Sequence, residues 1–164
     1  MAGTAPHALC AGRQRGRTVQ SMTDPRTHTL EQAGRIGPGV AAALEAALGT
    51  ATVLAGVAAV DGAVARCMVL CEGGFMLLEL TQTGDQLCIT IPTWRIRRVV
   101  ETRVGGITKV QVELDADRSV MAPQEDGTTL VLASSYEAVQ PTGADNDVLV
   151  FAALMRTAML GSTN

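Results

Sequence analysis

The chain has 164 residues, 47% of them hydrophobic, which is enough for one domain to bury a core without disulfides or metal. Its formal charge of -3 is uneven: residues 1–35 carry +3 and residues 36–164 carry -6. A mildly acidic body argues against a general polyanion binder, because non-specific nucleic-acid affinity comes from a basic face that neutralises phosphates; no nucleic acid is expected among the partners.

Residues 1–28 mix Gly, Pro, Arg, Thr and Gln without an apolar period, and they read as a disordered tail that cannot offset its ordering entropy. Three origins stand open for residues 1–21: an over-long gene model with the start at Met22, a solvated tail, or an Arg-rich targeting segment. The N-terminal helical segment is expected over residues 29–49. A short helix runs from Thr29 to the break at Gly37-Pro38-Gly39, and a clear amphipathic helix follows from Val40 to Leu48, with Val40, Ala43, Leu44, Ala47 and Leu48 on one face and Gly49 as its stop. The window from Val40 to Val60 has the length of a membrane span, but Glu45, Gly49, Thr50 and Thr52 interrupt it and the composition turns β-branched at Gly49. A helix followed by a strand is the better reading, and a cytoplasmic location goes with it.

From Thr50 the chain reads as successive short strands. Thr50 to Val60 closes at the Asp61-Gly62 turn, Gly73-Gly74 joins two apolar runs between Val69 and Leu80, and Thr83-Gly84-Asp85 precedes Leu87 to Ile91. Trp94 to Val104 and Ile107 to Leu114 flank a Gly105-Gly106 turn. In the latter run Val110, Val112 and Leu114 share one face while Lys109, Gln111 and Glu113 share the other, so one face is wet. Residues 115–127 read as a polar loop and Thr128 to Ala133 as one more strand. A terminal helix starts at the capping cluster Asp145-Asn146-Asp147 and ends at Gly161.

Four groups of residues invite chemistry. Arg95, Arg97, Arg98 and Arg103 are the basic concentration and the candidate anion or partner surface. Alternation sets Arg95, Arg97 and Arg103 on one face and Arg98 on the other, and pairing with Glu101 and Glu113 across neighbouring strands is the plainer account of them. Trp94 is expected in the core or closing one end of the fold. Met68, Met76, Met155 and Met159 serve either as core filler or as an adaptable groove. Cys10, Cys67, Cys71 and Cys88 read as reduced, buried thiols, since no secretory signal precedes them; Cys67-x-x-x-Cys71 lacks zinc-knuckle spacing and His7 and His28 sit in the tail, so no metal site and no cofactor is expected.

Catalytic residues are not in evidence: no histidine lies in the expected folded region, no G-x-S-x-G or phosphate loop occurs, Ser134, Ser135 and Tyr136 have no base, and Asp115-x-Asp117 is too sparse for a calcium loop. The expectation is a protein that is not an enzyme. On the terminal helix Val148, Phe151, Ala152, Met155 and Met159 form the stripe that packs on the sheet. Leu149, Ala153 and Leu160 fall toward the other side as a candidate helix interface, to be met by the Val40 to Leu48 helix or by a second subunit.

Ile91-Pro92-Thr93-Trp94-Arg95-Ile96-Arg97-Arg98-Val99 looks like the "IPLxxIxxV" segment common in bacterial pleckstrin-homology-like domains. Val69 to Leu80 looks like their central hairpin, and Thr128 to Leu132 followed by Val148 to Leu154 resembles their final strand and helix. The resemblance covers residues 50–161 and implies a mainly β fold with flanking helices: a PH-like, partly open antiparallel barrel of about seven strands, preceded by one N-terminal helix and capped by a C-terminal helix. It implies an interaction or scaffolding module whose partner is a protein or another copy of the chain, with peripheral binding to anionic membrane lipid through Arg95, Arg97, Arg98 and Arg103 as the alternative. The loop from Asp61 to Arg66 departs from phosphoinositide-binding members, because it holds a single Arg.

Overall fold

The structure, a computed structural model, describes residues 23–115, 121–123, 129–131, 135–141 and 147–161. Two helices open the described chain. The first, α1, spans Pro25–Ile36: Asp24 caps it by accepting the Thr27 N–H at 3.0 Å, and Pro25 fills the first helical position, where a missing N–H costs nothing. The second, α2, spans Pro38–Leu48 and stops at Gly49, whose φ of 49° is left-handed. The break expected at Gly37-Pro38-Gly39 thus divides the N-terminal segment into two full helices, where the PH-like pattern implied one, and the segment starts four residues earlier than Thr29, at the Asp24-Pro25 pair.

The strands follow as β1 (Val53–Asp61), β2 (Val64–Cys71), β3 (Gly74–Thr81) and β4 (Gln86–Ile91), which form an antiparallel four-stranded sheet in chain order. After a 3-10 turn at Thr93–Arg95, β5 (Ile96–Val104), β6 (Ile107–Leu114) and β9 (Ser135–Pro141) form an antiparallel three-stranded sheet, while β7 (Met121–Pro123) and β8 (Thr129–Val131) pair only with each other. The helix α3 (Asp147–Gly161) ends the described chain, with its Val148 N–H bonded to the Gln140 side chain at 3.3 Å. Two antiparallel sheets with flanking helices make a mainly β fold, and the sheets do not close into a barrel. No helix among the described residues is long and apolar enough to cross a membrane, and the Val40 to Val60 window divides into α2 and β1.

Burial along each strand reports what covers it. In β1 to β3 the runs Ala55–Ala59, Cys67–Cys71 and Gly74–Leu78 are buried without alternation, as expected of strands covered on both faces. On one face Val57, Met68, Leu70, Phe75 and Leu77 join Val99, Val110, Val112, Tyr136 and Ala138 of the second sheet, together with Phe151 and Met155 of α3. The Phe75 and Phe151 rings meet there at 6.3 Å between centroids. On the other face Cys67, Val69, Met76 and Leu78 pack with Ala33, Val40, Leu44 and Leu48 of α1 and α2. The strands β4 and β6 alternate instead, so each has one open face.

Turn chemistry sets the registers. Val104 and Ile107 are paired across Gly105 and Gly106, whose φ values of 60° and 80° fit a type I′ hairpin. The strand expected over Thr128 to Ala133 is present in its core as β8, but it pairs with Met121–Pro123, inside the stretch expected as a polar loop, and the second sheet is completed by Ser135–Pro141 instead. In β9 only Tyr136 and Ala138 point inward, and so small an apolar signal is easily passed over.

Candidate functional site

The four arginines do not converge on one surface. A bulge between Ile96 and Arg98 inserts Arg97 into β5 and shifts the alternation, so that Ile96 and Val99 are both buried three residues apart. Arg98 is paired opposite Glu113 and donates twice to its carboxylate, at 3.1 and 2.8 Å; the guanidinium holds the Glu113 carboxyl below its usual range. Arg103, on the opposite face, donates to Glu101 at 3.2 and 3.0 Å, and Arg156 of α3 approaches the same carboxylate at 3.7 Å. Arg95 stacks over the Trp94 ring at 4.8 Å. That ring is 55% exposed, which corrects the expectation of a core tryptophan: the 3-10 turn carries it out of the strand period.

The methionines do not line one groove either. Met68 and Met155 lie in the core between the sheets, Met76 lies beneath the helices on the other face, and Met159 packs at the margin of the inter-sheet core. Cys67 and Cys71 are buried, and burial pushes the Cys67 thiol up to about 12, well away from the reactive thiolate. Cys88 is exposed on β4, a correction that follows from the open face of that strand.

On α3 the buried stripe is Val148, Phe151, Ala152 and Met155, with Met159 packed at its margin, as the spacing requires. The outer side differs from expectation. Leu149 is half-buried, whereas Val150 is 52%, Leu154 37% and Leu160 74% exposed, with Ala153 exposed between them. The α2 helix packs on the far face of the four-stranded sheet, in a separate cluster from α3, and so it does not cover this stripe. Val150 and Leu154 were legible in principle: at about 100° per residue, Val150 falls opposite the centre of the buried arc.

Two hollows among the described residues bear on the site. One, of about 300 Å³, is apolar and lies between Ile36 and Val40 of the helices and Val60, Ala65 and Leu80 of the sheet. The other, of about 250 Å³, is lined by Asp61, Arg66 and Glu137, and its charges are spent locally. Arg66 donates to Glu79 at 2.6 Å and to the Glu137 carbonyl at 2.8 Å, and Lys109 meets the Glu137 carboxylate at 3.1 Å. No group of three or more His, Cys, Asp or Glu side chains suited to a metal ion occurs among the described residues. His28 binds Asp147 at 2.7 Å and so ties α1 to the start of α3. Comparison of the chain with protein-family models, with curated proteins and with solved structures finds no match.

Proposed function

We propose that this chain is a non-catalytic, PH-like interaction or scaffolding module that works by presenting surfaces to a protein partner. One observation carries the reading. The helix that plugs the core between the sheets shows a stripe of Val150, Ala153, Leu154 and Leu160 to solvent, and grouped exposed apolar side chains of this kind mark partner surfaces. The succession of four strands, three strands and a C-terminal helix supports the PH-like assignment, and the satisfied ion pairs at Arg98, Arg103 and Arg66 suit a framework better than a reaction centre. Affinity capture from the native cell tests it, with wild type against Val150→Ser/Leu154→Ser. A partner retained by wild type and lost with the double variant supports the reading; equal retention, or no partner, overturns it.

A second reading is peripheral binding to anionic lipid, favoured by the exposed Trp94 with Arg95 stacked on it and by the exposed Arg97 that follows two residues later. Co-sedimentation with vesicles containing acidic lipid, weakened by salt and by Arg97→Glu, is the expected behaviour. Equal recovery on neutral vesicles rejects it.

A further inference from the structure

Of the four outer edges of the two larger sheets, three are closed. At β1 the buried Gln32 of α1 accepts the Ala58 N–H at 3.0 Å and donates to the Gly56 carbonyl at 3.5 Å, so a side-chain amide takes the place of a neighbouring strand. At β9 Arg66 takes the Glu137 carbonyl. At β5 the Arg97 bulge and the charges of Arg98, Glu101 and Arg103 spoil the edge for pairing. The remaining edge, β4, has none of these devices among the described residues. It pairs with β3 in an unbroken register, it holds no charge and no proline from Gln86 to Ile91, and among the described residues no strand lies on its outer side.

Which backbone groups face outward follows from the ladder. The Thr81 N–H donates to the Asp85 carbonyl at 2.9 Å, and bonded pairs recur at every second residue, so Glu79 with Leu87, Leu77 with Ile89 and Phe75 with Ile91 are the bonded pairs. Leu87, Ile89 and Ile91 thus spend their backbone groups on β3, while Gln86, Cys88 and Thr90 aim theirs away from it. These outward residues are symmetric about Cys88.

We propose that β4 is a self-association edge: two copies pair antiparallel about a two-fold axis at Cys88, extending the four-stranded sheet across a dimer. This deepens the interaction-module reading and rests on it. In that register Cys88 faces Cys88 of the second copy and Gln86 faces Thr90, so each outward N–H meets an outward carbonyl. The strand carries no charge that would repel its own copy or select a different one. The exposed side chains on β4 are Gln86, Cys88 and Thr90, short or uncharged, and they leave the approach open.

Sedimentation equilibrium of the full chain over a concentration series should show a monomer–dimer equilibrium. Cys88→Lys sets two ammonium groups face to face at the axis and should weaken association about tenfold or more. Thr90→Pro, which removes an outward N–H without touching the β3 ladder, should weaken it independently. Paired Cα atoms lie about 5.5 Å apart across such an axis, so a short bis-maleimide should cross-link the Cys10→Ser chain as a dimer and leave Cys10→Ser/Cys88→Ser monomeric. Circular dichroism confirms the fold of each variant. A wild type that stays monomeric, or a Cys88→Lys chain that dimerises equally well, overturns the proposal. If wild type is monomeric yet captures a partner through Val150 and Leu154, the edge assignment fails and the interaction-module reading stands; if neither association occurs, both fail.

Discussion

Gly56 is the position where the helical layer comes closest to the sheet. A Cβ placed there would lie 2.5 Å from Thr29 Oγ1 and 3.0 Å from Thr29 Cβ, and Thr29 has no room to retreat because it is 1% exposed and its hydroxyl donates to the Pro25 carbonyl at 2.7 Å. The backbone at Gly56 is not in the left-handed region, so the demand is for space and not for conformational freedom. Gly56→Ala should therefore cost about 1–3 kcal/mol as overpacking. Thr29→Ala in the same chain removes Oγ1 and Cγ2 and should recover part of it, with a coupling of about 1 kcal/mol in a double-mutant cycle. Urea midpoints measure both, and an unchanged midpoint for Gly56→Ala means that α1 does not rest on β1. The sequence offered no warning of this contact, because a glycine inside a strand run reads the same whether its missing side chain makes room for a helix or marks a bulge.

At the level of elements, the helix α3 separates two kinds of apolar residue that composition cannot tell apart. Phe151 is fully buried against Phe75, and Phe151→Ala should cost about 3–5 kcal/mol. Leu160 is 74% exposed, and Leu160→Ser should stay within about 0.5 kcal/mol in the same thermal or urea unfolding experiment. Comparable losses would mean that α3 is rotated about its axis, with Leu160 turned toward the core. The hairpins were legible because turn residues announce them: Gly105-Gly106 and Asp61-Gly62 sit at the turns between strands. What escaped were features that leave little local trace. The Arg97 bulge reverses the face of every later residue in β5 relative to those before it, so a strict alternation kept Arg98 and Arg103 apart correctly but wrongly grouped Arg95 and Arg97 with Arg103. The strand β9 buries only Tyr136 and Ala138, and the Asp24-Pro25 cap looked like a tail because the helix it starts has few apolar residues. The candidate site was half legible: the buried stripe of α3 followed from spacing, but its exposed side depends on which way the buried arc is centred, and that is set by the tertiary contacts of Val148 and Met155.

On the scale of the whole molecule, the two sheets meet through the shared core and through a charged tie. Arg66 leaves β2, pairs with Glu79 of β3 at 2.6 Å, and reaches the Glu137 carbonyl of β9 at 2.8 Å, so a single guanidinium spans both sheets. Its side chain is 16% exposed and that of Glu79 21%, which sets the pair between the surface limit, where ion pairs contribute little, and the buried limit, where an orphaned charge is costly. Arg66→Met keeps the aliphatic stem and removes the fork, leaving Glu79 half-shielded without a counter-charge and the Glu137 carbonyl without this donor. The loss should be about 2–3 kcal/mol. Adding Glu79→Met should return part of it, because the stranded carboxylate is the larger share of the penalty. Hydrogen exchange then separates a local from a global role: amides of β9 should lose protection in Arg66→Met before those of β2 and β3, since the tie restrains β9 alone on the second sheet. If β9 keeps its protection and the unfolding midpoint is unchanged, the apolar core between the sheets holds them together unaided, and Arg66 serves only to close the β9 edge against pairing.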